Sequence, residues 1–314
     1  MNANEKLVKD RLYGDTLIRE QVLIDLINTR AMQRLAKVGQ FGIPEEWNGR
    51  PGFSRLEHCI GVAILLARLK APLKEQIAGL LHDASHAAFS HVMDYVMGDP
   101  TEHHQDKIHA QYLKDNKELS SVLEKHGYTV AQFFDLKKYP LLEQELPDLC
   151  ADRIDYSLRE LAMKEPAKAR KCLNALIVNK NKICFNNLEA ARVFGFNFMT
   201  LQRYTWAEIK QINRCHLLAN VIKIALREKI LTMEDLYVHD EHVREKLEAA
   251  GNKQIDNLVN SLKTDSFPVT QKPKKYRWVD PIVLENGRKK RLSQLDRKFK
   301  LVLNDYKNQA GLLA

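Results

Sequence analysis

Residues 80–91, LLHDASHAAFSH, set His82, Asp83, His86 and His91 among leucine, alanine and phenylalanine. Imidazole and carboxylate groups buried without partners cost several kcal/mol, so this stretch needs something to satisfy it. A divalent metal ion is the most economical partner for an adjacent His-Asp pair. If the helix running through Gln76 continues past Leu81, His82 and His86 stand four residues apart on one face with Asp83 at the seam. His58, opening an apolar helix in RLEHCIG, and Asp152, in ADRIDYSLRE, are candidates to complete the shell. Taken singly, each has a plainer reading: a histidine on an apolar face is more often a hydrogen-bonded core residue, and Asp152 could cap its helix or pair with Arg153. Only the combination points to a metal.

The residue types suit phosphate ester hydrolysis. A metal ion acidifies a bound water and offsets charge on a phosphoryl oxygen. Histidine and carboxylate ligands accommodate Mn, Fe, Ni, Co, Zn or Mg without choosing among them. The imidazoles in excess of the ligands carry the second half of the chemistry, because a leaving alkoxide needs a proton near neutral pH. A histidine held by a carboxylate, such as His91 with Asp94, can supply it.

The elements that must position these groups read mostly as helix. Apolar residues recur at three- and four-residue steps over 16–38, 56–69 and 203–231, and residues 53–160 read as one continuous helical block. Two hairpins are expected, one from ALIV and KICF around residues 179–181, the other from YRWVDPIVL and RKKRL around residues 285–287. Pro268 and Pro273 mark a linker, which divides the chain into a helical unit over 1–265 and a basic segment over 266–314. The expected fold is mainly α, a helical bundle with small hairpins.

Composition excludes several classes. With 314 residues, 45% hydrophobic and 28% charged, the chain can bury a large core and is not disordered. No apolar run approaches a membrane span and the N-terminus lacks a signal-peptide pattern, so a cytoplasmic protein without membrane contact is expected. Five scattered cysteines, none in a CxxC pair, suggest buried thiols rather than a zinc knuckle or disulfide framework. The net charge of +9 is concentrated: residues 272–300 hold eleven Lys and Arg against three acids. That stretch is a candidate surface for nucleic acid or another polyanion, although a solvated hairpin, or one closing over substrate phosphates, explains it as well.

The ordered set His58, His82-Asp83, Asp152 resembles the H…HD…D signature of the HD-domain phosphohydrolases. The likeness is greatest to their deoxynucleoside triphosphate triphosphohydrolase branch. HDASHAAFSH is similar to its HDxGHxPFSH block, SRLEHCIGV to RxEHSLGV, MQRLAKVGQFG (32–42) to QRLxxIxQLG, EHHQ (102–105) to HEQ, ADRIDY to DxDKxDY, and NKICF (181–185) to a hairpin strand. The similarity runs in consistent order over about residues 10–230.

The resemblance implies that His58, His82, Asp83 and Asp152 ligate the metal. It implies that His86, His91 and His103 line the phosphate side, with Asp94 orienting a histidine. Arg55, Arg153 and Tyr156 would contact phosphate oxygens, and Gln40 and Phe41 would lie beneath the sugar. Plainer readings stand beside these: Arg55 a solvated charge, Tyr156 core, Gln40 loop. The implied activity is hydrolysis of a deoxynucleoside triphosphate by a homo-oligomer, with HD-type 5'-nucleotidase or phosphodiesterase action as the alternative. The sequence departs from the pattern at Ser85 (glycine in the family), Ala88 (proline) and His104 (glutamate). Phe198, Gln202 and Trp206 align where the branch offers Arg, His and Tyr to the triphosphate.

Overall fold

The computed structural model describes residues 5–99, 104–271, 276–285 and 287–311. Its centre is the helix Arg55–Arg68, which starts where Ser54 Oγ accepts the Glu57 N–H at 3.1 Å. This helix is apolar on nearly every side and packs against the helices Leu73–Leu81 and Ala151–Lys164. Glycines set both crossings: a Cβ on Gly79 would run into Leu66, and one on Gly61 into the Arg159 guanidinium. The close approach brings His58, His82 and Asp152, one from each helix or its end, to a common point.

The helical block expected over 53–160 is interrupted. The helix Leu73–Leu81 ends before the His-Asp pair, and residues 82–91 form successive turns, with Ala84 N–H donating to Leu81 O and His86 N–H to Asp83 O. Phe89 and Ser90 then take left-handed φ of 58° and 52°. Such values cost non-glycine residues about 1–3 kcal/mol each and need surrounding structure to hold them. Asp240 supplies part of that, accepting the Phe89 N–H at 2.7 Å, and Ser90 Oγ donates to Gly39 O at 2.6 Å. His82 and His86 are therefore not on one helical face. The turns, not a helix, arrange them.

The helix expected over 16–38 is also shorter. Lys6–Asp10 and Gly14–Ile18 form an antiparallel hairpin, whose turn is fixed by Asp10 Oδ1 accepting the Leu12 and Tyr13 N–H groups. Helix begins only at Gln21–Ile27. The helix expected over 203–231 covers Ile209–Arg227, preceded by a π turn at Gln202–Trp206.

Both later hairpins form as expected, and they join. Leu176–Asn179 pairs with Lys182–Phe185, Ile282–Glu285 pairs with Arg288–Arg291, and a parallel link at Phe185 and Val283 makes one four-stranded sheet. The C-terminal helix Arg297–Gln309 buries Phe299, Leu303 and Tyr306 in the same hydrophobic cluster as Phe185 and Phe194. A second cluster gathers Trp47, Phe89 and Val92 with Leu218, Ile222, Leu236 and Leu247. The 82–91 segment passes between the two, Ala84 packed in the first and Ala87 to Phe89 in the second. The fold is mainly α. No helix among the described residues is long and apolar enough to cross a membrane, and all five cysteines are free thiols, four of them buried.

Candidate metal centre and substrate cavity

Four side chains converge. His58 Nε2 lies 3.2 Å from His82 Nε2 and 2.9 Å from Asp152 Oδ1. Asp152 Oδ1 is also 3.5 Å from His82 Nε2, and Asp83 stands 3.5 Å from His82 Nε2 and 3.9 Å from His58 Nε2. Metal bonds near 2.1 Å, in tetrahedral or octahedral geometry, put ligand atoms about 3.0–3.4 Å apart, so the spacing within His58, His82 and Asp83 suits one ion, and Asp152 reaches the same point through the two histidines.

The tautomers support the fit. His82 Nδ1 lies 2.7 Å from the Gly79 carbonyl oxygen, which only accepts, so Nδ1 carries the hydrogen. His58 Nδ1 lies 2.7 Å from Asp155 Oδ1. Burial works to raise the Asp155 pKa, but Arg159 outweighs it and keeps the carboxyl ionised, able only to accept. With Nδ1 occupied on both rings, it is the two Nε2 atoms that face each other and two carboxylates across a few ångströms, a place for a proton when the site is empty and for a metal ion when it is filled. Burial disfavours a charge on His82, yet Asp83 and Asp152 outweigh it and push its pKa up to about 10. The donor set is that of a mixed His/Asp divalent site.

Asp83 is held by Arg55, whose Nη1 donates to Oδ2 at 2.6 Å. Arg55 is itself buried, its Nε donating to Ser90 Oγ at 3.0 Å and its Nη2 to Gln40 O at 3.4 Å. It faces protein groups, a metal-site carboxylate among them. Arg153 likewise spends its guanidinium on the Asp148 and Gln144 carbonyls, at 2.6 and 3.2 Å.

On the other side of Asp83, His86 Nε2 lies 3.3 Å from Asp83 Oδ1. Burial, reinforced by Arg55, lowers the His86 pKa to about 3, so its imidazole is neutral. His91 packs edge-on against it at 5.1 Å and is half exposed. His91 Nδ1 sits 3.1 Å from Asp94 Oδ2, while Asp94 Oδ1 accepts the His104 N–H at 2.9 Å. His103 lies outside the described residues.

A cavity of about 180 Å³ opens beside these groups, lined by Gln40, Phe41, His91, Tyr156, Trp206 and Arg277 among others. The Tyr156 ring is 6.3 Å from the His58 ring and packs edge-on to Trp206 at 5.0 Å, which ties the cavity to the metal centre. Burial raises the Tyr156 pKa, so its hydroxyl stays protonated. Gln40 Oε1 is buried with no hydrogen-bond partner among the described residues.

Three of the supporting residues carry no motif of their own. Arg50 stacks on Phe41, its guanidinium carbon 3.4 Å from the ring centroid, and binds Glu160 through both Nη atoms at 2.6 and 3.0 Å. Glu160 also accepts the Trp206 Nε1–H at 2.5 Å, so one carboxylate fixes two walls of the cavity. Asp240 pins the Gly39 N–H, at 2.9 Å, as well as that of Phe89. Asp155 is different: it follows Asp152 by three residues on one helix, a spacing that could have marked it.

Fold and site define a metal-dependent hydrolase of the HD-domain class, and residues 55–160 match the family model for the HD domain. The chain belongs to the HD-domain metal-dependent phosphohydrolases. It is 31% identical over 305 residues to the metal-dependent phosphohydrolase cns2 of Cordyceps militaris, an alignment covering 92% of this chain and 88% of that one. It is 21% identical to a deoxynucleoside triphosphate triphosphohydrolase SAMHD1 homolog of Dictyostelium discoideum, over 91% of this chain and 62% of that protein. The crystal structure of a hypothetical protein from Aquifex aeolicus shares the fold, with a TM-score of 0.66 and 19% identity over 94% of this chain and 93% of that one.

Proposed function

We propose that this protein hydrolyses a phosphate ester of a nucleotide. The observation that carries this reading is the junction of the four convergent ligands with an aromatic cavity whose walls, Phe41, Tyr156 and Trp206, offer faces to a base or sugar. His58, His82, Asp83 and Asp152 would hold a divalent ion, which when bound acidifies a water and offsets phosphoryl charge. In the hydrolysis the oxygen of water bonds to phosphorus, the bond from phosphorus to the ester oxygen breaks, and the leaving oxygen takes a proton. His91, held by Asp94 and open to the cavity, is placed to deliver that proton. Arg55 acts as a positioning residue that orients Asp83, and Arg153 acts on the loop carbonyls it binds. Gln40 and Phe41 form the floor under the sugar.

Charge favours a monoester. A terminal phosphate carries about −1.5 to −2 at neutral pH and a triphosphate tail more. Of the two arginines described in the cavity wall, Arg50 is already bound to Glu160. Phe198, Gln202 and Trp206 bring no cation where the triphosphohydrolase branch has one. The second reading, hydrolysis of a deoxynucleoside triphosphate, is supported by the motif likeness and by the name of the Dictyostelium relative.

One experiment separates them. The protein is loaded in turn with Mn, Co, Ni, Fe, Zn or Mg and offered nucleoside mono- and triphosphates, and the products are resolved as orthophosphate or triphosphate. Orthophosphate from monophosphates is expected. Triphosphate release would establish the second reading, and no hydrolysis of any nucleotide with any metal would end both.

A further inference from the structure

Among the described residues, the basic C-terminal segment reaches the substrate cavity through Arg277. The chain on either side is tethered. Upstream, buried Asn213 accepts the Thr270 and Gln271 N–H groups at 2.8 and 2.9 Å and donates from Nδ2 to Gln271 O at 3.0 Å. Downstream, the Asp280 N–H donates to Pro147 O at 3.1 Å, and the Asp280 carboxylate accepts the Ser293 hydroxyl at 2.6 Å. Between these anchors Tyr276 packs edge-on to Tyr306 at 6.2 Å, and the Lys307 ammonium lies 5.1 Å from the Trp278 ring centroid. Two aromatics are thus seated on the C-terminal helix, and the residue between them lines the cavity.

There Arg277 joins His91, Asp94 and Tyr156 in the lining. At Tyr156 its charge opposes the burial that raises the hydroxyl pKa. The carboxylates of the described lining are engaged: Asp94 with His91 and the His104 N–H, Glu160 with Arg50 and Trp206. Among the described residues no carboxylate or carbonyl receives the Arg277 guanidinium. A partly buried guanidinium without such an acceptor among the described residues offers planar donors suited to an anion.

We infer that Arg277 clamps the phosphate of the substrate on the oxygens turned away from the metal ligands, so that the C-terminal segment completes the active site in the same chain. This rests on the phosphohydrolase reading given above. It also gives one cation of the basic stretch a role separate from any polyanion surface.

The test is calorimetric titration of the metal-loaded full chain with inorganic phosphate, alongside steady-state kinetics on the best nucleotide. Arg277→Ala should weaken phosphate binding about 10- to 100-fold, the range for losing charged hydrogen bonds, and raise KM by a similar factor. Metal content and inhibition by the uncharged product nucleoside should not change, and Arg277→Lys should recover part of the loss. Equal phosphate affinity in wild type and Arg277→Ala, or a wild type that binds no phosphate, overturns the clamp. Parallel loss of nucleoside inhibition would make Arg277 structural, which also overturns it. If the wild type hydrolyses no nucleotide yet binds phosphate through Arg277, the nucleotide reading fails and the clamp stands. If hydrolysis is full and phosphate affinity does not depend on Arg277, the clamp fails and the nucleotide reading stands.

Discussion

Asp155 holds His58 in place, its Oδ1 2.7 Å from His58 Nδ1, with both side chains fully buried. The same carboxylate binds Arg159 Nε at 2.8 Å, and Arg159 reaches Asp10 at 2.8 Å and Glu57 at 3.0 Å. Asp155 therefore serves both a proposed metal ligand and a buried ionic network. Asp155→Asn keeps an acceptor for His58 but loses the charge, and should lower metal affinity about 10- to 100-fold. It should also lower the melting temperature by leaving Arg159 undercompensated. His82→Ala and Asp152→Ala should lose the ion with the helical fold retained. Metal per chain measured at limiting metal decides it: full occupancy in all three variants would remove the site assignment.

His91 is expected to act on the leaving group. His91→Ala should lower turnover on a nucleotide by about two orders of magnitude with metal still bound. Its loss should be much smaller on p-nitrophenyl phosphate, whose leaving group needs no proton. Equal losses on both esters would argue against proton donation, and loss of metal would make His91 a ligand. His103→Ala, tested alongside, is expected to behave likewise on the nucleotide.

The cavity floor predicts sugar selectivity. Arg50 stacked on Phe41, and Glu160 binding both Arg50 and Trp206, hold the floor rigid. Where the sugar lies over the Phe41 ring rather than beside the unsatisfied Gln40 Oε1, a ribose buries its 2'-hydroxyl without a partner, which costs roughly 1–3 kcal/mol, or about ten- to hundredfold in kcat/KM. Deoxynucleotides should be preferred by that factor in the wild type, and the preference should shrink in Phe41→Ala and Glu160→Gln. Equal rates on both sugars in the wild type would refute the floor.

Asp240 predicts a pH effect on stability. Burial raises its pKa to about 7, although the Gly39 and Phe89 N–H groups pull the other way. A carboxyl whose folded pKa exceeds its unfolded value, near 4, favours the folded state below that value and loses the contribution as pH rises to about 7. The melting temperature should therefore fall between pH 4 and pH 7 on account of Asp240, and Asp240→Asn should flatten this component. Differential scanning calorimetry over that range checks it, and an unchanged pH slope in Asp240→Asn would count against it.

The exposed face of the last hairpin tests the polyanion proposal. Arg288, Lys289 and Lys290 are exposed on the strand Arg288–Arg291, whereas residues 272–275 and 286 of the basic stretch lie outside the described residues. Deleting 272–314 would remove Phe299, Leu303 and Tyr306 from the core, each worth about 1.5–3 kcal/mol, and would confuse binding with unfolding. Replacing Arg288, Lys289 and Lys290 with alanine avoids this. Polynucleotide retention at low salt should drop while nucleotide hydrolysis persists, and unchanged retention would favour a merely solvated hairpin.

Read alone, the sequence determined the family, the mainly α class, both later hairpins and the candidate ligand set, because these rest on residue type and order along the chain. His58, His82-Asp83 and Asp152 stand out as polar groups in apolar surroundings, and that contrast survives without coordinates. What the tertiary structure decided is where neighbours along the chain point. Residues 82–91 have helical composition, yet left-handed Phe89 and Ser90, supported by Asp240 from a helix some 150 residues away, break them into turns. Arg55 reads as a helix-start charge until its helix is packed, and then it meets Asp83. The pairing of Arg50 with Glu160 and the approach of Arg277 to His91 join positions separated by more than a hundred residues. Such contacts follow from how helices cross and where a C-terminal strand adds to a sheet, and no local periodicity records either.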